Sequence, residues 1–262
     1  MPRGLITLTT DFGLSDHFVG VMKGVILGIN PAARIADISH QVSPFEIPEA
    51  GFLIAQAWRY FPKKTVHVVV VDPGVGTLRR PILAEVGGHY FVAPDNGVLS
   101  MIFDAANPKV RAITAEQYFL QPLSNTFHGR DIFAPVAAHL SRGLPPARFG
   151  KLIRDYARQE FYKPVRTGKR IWSGNILRID RFGNLITNFS LAEFPTVATR
   201  PFLLRVGAET VSHFVTTYAQ CAPGELCLLE GSSGYLEVAM YQASAARRLG
   251  CGPGAPVELT VY

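Results

Sequence analysis

The chain has 262 residues, of which 48% are hydrophobic and 18% charged, with 24 Gly and 19 Pro that follow no fixed period. That balance describes a globular chain able to bury a large core, and it excludes intrinsic disorder and fibrous repeats. The net charge of +6 raises the question of a nucleic-acid partner, while no apolar run approaches the roughly 20 residues that cross a bilayer.

Residues 1–10 lack the apolar run and small-residue cleavage site of a secretory leader, so a cytoplasmic protein is expected. Residues 5–9 read as a strand that ends at Asp11-Phe12-Gly13. Ser15 or Asp16 can cap a helix whose apolar residues Phe18, Met22, Val25, Ile26 and Ile29 recur at helical spacing, and Asn30-Pro31 ends it. Residues 34–38 are a second strand and 48–60 a second helix. Residues 65–71 are almost unbroken in apolar character, as in a strand buried on both faces at the centre of a sheet. Strands at 82–86 and 90–93 are joined through Gly87-Gly88 as a hairpin, so the sheet is mixed, though mostly parallel. Helices are expected at 98–103 and 131–140, the latter closed by Gly143 and Pro145-Pro146. This alternation is that of an α/β domain with helices flanking its sheet.

Between Arg142 and Arg170 stand nine basic residues against two acidic ones, which reads as a solvated connector rather than a nucleic-acid surface. Beyond it the texture changes to short strands at 175–179, 202–206, 210–214, 226–229, 236–241 and 257–261, punctuated by Gly, Pro and Ser, with no convincing helix. The expected organisation is an N-terminal α/β domain over residues 1–165 and a small, barrel-like, all-β domain over 170–262. Cys221, Cys227 and Cys251 are odd in number and form no CxxC pair; they read as reduced structural thiols.

Ligands of open α/β sheets bind beyond the carboxyl ends of the strands, so the polar residues that follow strands come into question. Four places qualify: Thr10 to Gly13, Asp72 to Arg79, Asp95-Asn96-Gly97, and Thr126 to Asp131. Asp11 is either a turn or cap residue, or a carboxylate that accepts hydrogen bonds from vicinal ribose hydroxyls. Asp72, at the end of the buried strand, needs a partner that Arg79 can supply, as a structural ion pair or as part of a site. His128 is a satisfied core residue or a titrating member of that site, and Asp131 is a ready cap for the helix beginning there. Asp95-Asn96 is most simply a turn. Gly74-Val75-Gly76-Thr77 is neither a dinucleotide fingerprint nor a Walker loop, which argues against phosphate binding. Four aspartates and His128 raise metal-assisted hydrolysis as a rival, without any recognisable ligand spacing.

The motifs ITLTTDFG, VVVVDPGVGTLRRPI, APDNG, TFHGRDIFAP, IDRFGNLITN and GSSGYLEVAM, in this order, resemble the S-adenosylmethionine hydroxide adenosyltransferase family, relatives of fluorinating and chlorinating enzymes. The resemblance implies hydrolysis of S-adenosylmethionine to adenosine and methionine, with no metal and no cofactor. It implies that Asp72, Arg79 and His128 position the attacking water or hydroxide. Halogenating relatives carry Tyr in place of the Asp and Tyr-Ser or Tyr-Gly in place of His-Gly, and the fluorinating enzyme has a long loop that this chain lacks. The resemblance also implies a homotrimer, with the site between the α/β domain of one subunit and the β domain of the next. In it Asp11 holds the ribose, Asn184 and Ser232 contact the nucleoside or the methionine portion, and Glu237 and Met240 line the adenine side. Phe182 either stacks on adenine or serves the core. Ser233 departs from the pattern, standing where halogenating relatives tend to place Arg. A sulfonium leaves as a neutral thioether and needs no acid. Asp72 or His128 takes the proton, and a neutral His near pH 7 is well matched to that task.

Overall fold

The structure is a computed structural model describing residues 4–262. Residues 1–3, part of the stretch read above for a leader, lie outside the description. The chain forms two compact units, one reaching to Gln159 and one from Glu160 to Tyr262.

The first unit runs β1 (Leu5–Thr10), α1 (Phe18–Ile29), β2 (Arg34–Ser39), α2 (Ile47–Ala57), β3 (Val66–Val70), β4 (Pro81–Val86), β5 (His89–Pro94), α3 (Ser100–Ala105), β6 (Lys109–Ala112), α4 (Ala134–Ser141) and β7 (Leu152–Ile153). Its sheet has the order β2-β1-β3-β5-β4-β6-β7. The pairs from β2 to β5 are parallel, and those from β5 to β7 antiparallel. Every residue of β3 is buried, as its apolar run requires. Its side chains divide by the period of two: Val66, Val68 and Val70 join a core with α1 and α4, while Val69 and Val71 join the opposite core with α2 and α3.

The expected hairpin at Gly87-Gly88 is present, with both glycines at positive φ. Two local expectations shift. His17, not Ser15 or Asp16, precedes α1, and no side chain caps it. The helix start is instead fixed by Phe18, whose ring packs against Phe12 and Phe127. The helix expected over 131–140 begins earlier, as a π turn over Gly129–Phe133 that runs into α4. Asp131 therefore lies inside the turn rather than capping a helix.

The second unit comprises β8 (Val165–Arg166), β9 (Ile171–Ile179), β10 (Leu185–Ser190), β11 (Phe202–Val206), β12 (Glu209–Val211), β13 (Cys227–Glu230), β14 (Tyr235–Ala239), α5 (Ala245–Leu249) and β15 (Pro256–Val261). The antiparallel order is β12-β11-β15-β9-β10-β14-β13, with β8 beside β9. Leu228 donates its N–H to the His213 carbonyl at 2.8 Å and accepts from Val215 at 2.9 Å, which brings the two ends of the sheet together. The result is a nearly closed barrel around Ile176, Phe189, Leu204, Leu236 and Leu259.

Sequence patterning misses β10, because its Thr187 and Asn188 are buried rather than solvated. Thr187 donates to the Leu236 carbonyl at 2.7 Å and Asn188 accepts the Asn175 N–H at 2.9 Å. It also misses α5, which Ser244 caps and Gly250 closes at φ 61°. The expectation of three reduced thiols is corrected. Cys221 and Cys227 form a disulfide, the chain turning back between them to leave their Cα atoms 5.8 Å apart; Cys251 is free. No helix among the described residues is long and apolar enough to cross a membrane.

Candidate functional site

The carboxyl ends of β1 and β3 and the segment preceding the π turn enclose a cleft of about 310 Å³. Asp11 follows β1, Asp72 lies two residues beyond β3, and His128 stands at the mouth of the π turn; all three line the cleft. One glycine makes this convergence possible. Gly76 has φ 77°, and a Cβ there would lie 2.2 Å from the Asn125 carbonyl oxygen, so only glycine lets the loop after Asp72 rest on the His128 segment.

Arg79 is buried behind Asp72 and His128. Its Nε donates to Asp72 Oδ1 at 2.9 Å and its Nη2 to Asp72 Oδ2, a bidentate pair whose side chains are only 9% and 6% exposed. Nη2 also donates to His128 Nδ1 at 2.7 Å. A guanidinium has no lone pair to offer, so Nδ1 must be the acceptor. The imidazole is then neutral, with its proton on Nε2. Burial lowers the pKa of His128, the Arg79 charge lowers it further, and the Asp72 and Asp131 charges with the Ser124 backbone act in the opposite sense. Arg79 also packs over the Phe133 ring at 5.3 Å, and its Nη1 is buried with no hydrogen-bond partner among the described residues.

Asp11 accepts the Phe45 N–H through Oδ2 at 3.0 Å. Phe45 sits at φ 70°, a left-handed conformation that a bulky residue seldom adopts. Burial raises the pKa of Asp11, and the charge of Asp72 adds to that rise. Thr10 braces the same turn: its Oγ1 accepts the Phe12 N–H at 3.3 Å and meets His40 Nδ1 at 2.8 Å. Asp95 and Asn96 are structural. Asp95 pairs with Arg80 at 2.7 Å and accepts the Ala157 N–H, while Asn96 donates to the Val71 carbonyl. Among the described residues, no three His, Cys, Asp or Glu side chains gather as a cation would require.

The five remaining positions belong to the barrel. Asn184 is buried and donates through Nδ2 to Asp180 Oδ2 at 2.9 Å, and Asp180 Oδ1 accepts the backbone N–H groups of Phe182 and Asn184. Phe182 is 79% exposed, which removes the core alternative for its ring. Glu237 is buried and accepts from the Tyr218 hydroxyl at 3.1 Å. Burial raises its pKa, and burial beside Glu237 pushes the Tyr218 phenol up to about 12. Gly231 lies against this carboxylate, with Glu237 Oε1 1.7 Å from where its Cβ would be. Ser232 is exposed, Ser233 Oγ is buried without a partner among the described residues, and Met240 packs at the edge of the barrel core. Asp180 and Tyr218 escaped the sequence reading. Asp180 could have been found from its place four residues before Asn184, as an Asx turn, whereas Tyr218 carries no local signal.

The model of the S-adenosylmethionine hydroxide adenosyltransferase N-terminal domain matches residues 6–150, and that of the C-terminal domain matches residues 174–258. The (R)-S-adenosyl-L-methionine hydrolase of Salinispora tropica is 38% identical over 99% of this chain and 98% of its own length. That of Methanocaldococcus jannaschii is 36% identical over 94% and 91%. A fluorinase of an Actinoplanes species is 28% identical over 98% and 97%. A solved structure of a conserved protein from Thermotoga maritima superposes with a TM-score of 0.89 at 38% identity, covering 97% of this chain and 99% of that one. Two domain models in order and full-length relatives at this identity place the chain in a family: it belongs to the S-adenosylmethionine hydroxide adenosyltransferases.

Proposed function

We propose that the chain hydrolyses S-adenosylmethionine to adenosine and L-methionine by in-line attack of water at ribose C5′. The observation carrying this reading is a ribose-competent carboxylate, Asp11, in the same cleft as a buried Asp72–Arg79–His128 array. Water forms the new C5′–O bond while the C5′–S bond breaks and its electron pair returns to sulfur. The products are adenosine, neutral methionine thioether and one proton.

Holding water in line with the breaking bond is the main task, and such positioning is worth roughly 7–11 kcal/mol of barrier. Asp72 keeps a spare lone pair on each oxygen after binding Arg79, so it can accept a water proton. His128 is less suited to that role than its unperturbed titration suggests, because Arg79 occupies its free lone pair. Its part is to hold the guanidinium, which in turn fixes the Asp72 carboxylate at the cleft. Asp11 takes the ribose hydroxyls.

In this reading residues 1–165 form the catalytic domain and 170–262 the nucleoside-binding domain. Asn184 and Ser232 meet the nucleoside or the methionine end, Glu237 and Met240 face adenine, and the exposed ring of Phe182 stacks on it. The working form is a homotrimer in which neighbouring subunits share each site, acting in the cytoplasm without cofactor. The relatives' name further supports the (R) epimer of the substrate. The test is to incubate purified protein with each epimer, with and without chloride, fluoride and a chelator. Adenosine and methionine from the (R) epimer in every condition support the proposal. A halogenated nucleoside, or loss of product with the chelator, contradicts it.

A further inference from the structure

The reaction above gives His40 no task, yet its imidazole is buried beside the turn that carries Asp11. His40 follows directly on β2, and the pairing with β1 brings it there. Leu8 stands opposite Asp37 but Thr9 opposite Ser39, so β2 holds one extra residue, and such a bulge re-aims the side chains around it. His40 Nδ1 then meets Thr10 Oγ1 at 2.8 Å. The same hydroxyl accepts the Phe12 N–H at 3.3 Å, bridging from one residue to the amide two positions on, with Asp11 between them. The His40 carbonyl accepts the Gly13 N–H at 2.7 Å, so one residue grips the turn on both sides of Asp11. On its other side, His40 Nε2 lies 3.1 Å from Asp37 Oδ1 without a hydrogen bond between them, while Lys23 Nζ donates to Asp37 Oδ2 at 2.6 Å. The ring therefore acts on its surroundings through Nδ1.

We infer that His40 is a positioning residue for Asp11: by fixing the Thr10 hydroxyl and the Gly13 amide it sets the direction in which the Asp11 carboxylate enters the cleft. Asp11 lies one residue beyond the end of β1, past the last ladder contact that would hold its backbone. Its carboxylate is tied through Oδ2 to the Phe45 N–H, on a residue 70% exposed. A group that must meet two ribose hydroxyls at once has to be held to within about 0.5 Å and 10–20°. The Thr10–Phe12 bridge supplies that restraint, and the imidazole keeps the Thr10 hydroxyl turned toward it. Without Nδ1 the hydroxyl is free to rotate, and the Phe12 N–H loses its acceptor. The effect on binding rests on the reading of Asp11 as the ribose anchor; the restraint on the turn does not.

The experiment measures adenosine binding by calorimetry on the full chain and on variants at the two partners. His40→Gln places its amide near Nε2 and leaves the Nδ1 position empty, whereas His40→Asn puts a group that donates or accepts near Nδ1. His40→Gln should raise the adenosine dissociation constant about fivefold or more, and His40→Asn should stay within about twofold of the parent. Thr10→Val, which keeps the shape and removes the hydroxyl, should match His40→Gln even if that variant does not fold. In an Asp11→Ala background both substitutions should change affinity by less than about twofold, because they act through the carboxylate already removed. A merely structural histidine would add its full effect there. In turnover the loss should fall on KM, with kcat within about twofold. The inference is overturned if His40→Gln and Thr10→Val bind adenosine like the parent, if their effects add to that of Asp11→Ala, or if Asn is as damaging as Gln. Should Asp11→Ala itself leave affinity unchanged, the ribose reading fails instead. Hydrogen exchange then decides: the Phe12 and Gly13 amides should exchange about tenfold or more faster in His40→Gln than in the parent, and equal rates would overturn the inference.

Discussion

Nη2 of Arg79 lies 2.7 Å from Nδ1 of His128 while the same guanidinium binds both oxygens of Asp72. The three side chains come from separate segments, after β3, before β4 and at the head of the π turn, and they act as one unit. Arg79 cannot give up its proton, so the histidine must be neutral for the array to hold. Protonating His128 would set two cations against each other.

Turnover should therefore be lost on acidification when His128 titrates. Burial and Arg79 lower its pKa, so the imidazole stays neutral through and below the ordinary range near 6.5. The acid limb of the kcat profile should fall clearly below pH 6.5, and a limb at or above that value would contradict the arrangement. His128→Ala should slow turnover by about 10² or more with adenosine binding retained.

Asp72→Ala should also lower kcat by about 10² or more. It should be less stable than the parent as well, because it strands the buried Arg79 charge; breaking such a pair costs roughly 3–5 kcal/mol. Kinetics and thermal denaturation measured on one preparation check both effects. Parent-like turnover would remove Asp72 from the reaction, and an unchanged melting temperature would show the pair to be unimportant for the fold.

Asp11→Ala should weaken adenosine binding by roughly 10- to 100-fold, the range for losing a charged hydrogen-bond partner. Titration calorimetry gives the constant directly. An unchanged value would remove the ribose contact. In the parent, affinity should begin to fall on acidification above the ordinary carboxylate range, because burial raises the pKa of Asp11.

Away from the cleft, His67 lies in the sheet with Thr7 Oγ1 at 2.7 Å, His89 at 3.2 Å and the Phe91 ring stacked at 4.9 Å. Burial, with a smaller effect of His89, lowers its pKa to about 3. The unfolded imidazole takes up a proton near pH 6.5 and the folded one does not, so stability is full above that pH and is lost as pH falls from about 6.5 toward 3. Asp11 and Glu237, whose pKa values are raised, act in the opposite sense nearer the carboxylate range. The melting temperature should drop by several degrees between pH 7 and 5, and the drop should be smaller in His67→Gln. Identical slopes for the two proteins would rule out His67 as the source.

The parallel half of the sheet was legible because burial on both faces writes itself as a nearly unbroken apolar run in 66–70, interrupted by His67 alone, and because glycines mark the turns at 87–88. The Asp72–Arg79 pairing was legible for a related reason: a carboxylate ending such a strand needs a cation, and one stands seven residues away. Other features depend on partners distant in sequence. Thr187 and Asn188 look like loop residues until Leu236 and Asn175 are known to lie beside them. The π turn and the direction of Arg79 toward Nδ1 of His128 are geometric facts with no pattern in the chain. The Cys221–Cys227 pairing was misread because composition argues only from compartment, and not from the turn that brings two sulfurs together.

The most direct test of the account is to run the reaction with S-adenosylmethionine in ¹⁸O-labelled water and locate the label by mass spectrometry. One ¹⁸O atom should appear at the 5′ hydroxyl of adenosine and none in methionine. Unlabelled adenosine, or label in methionine, would show that water does not attack C5′.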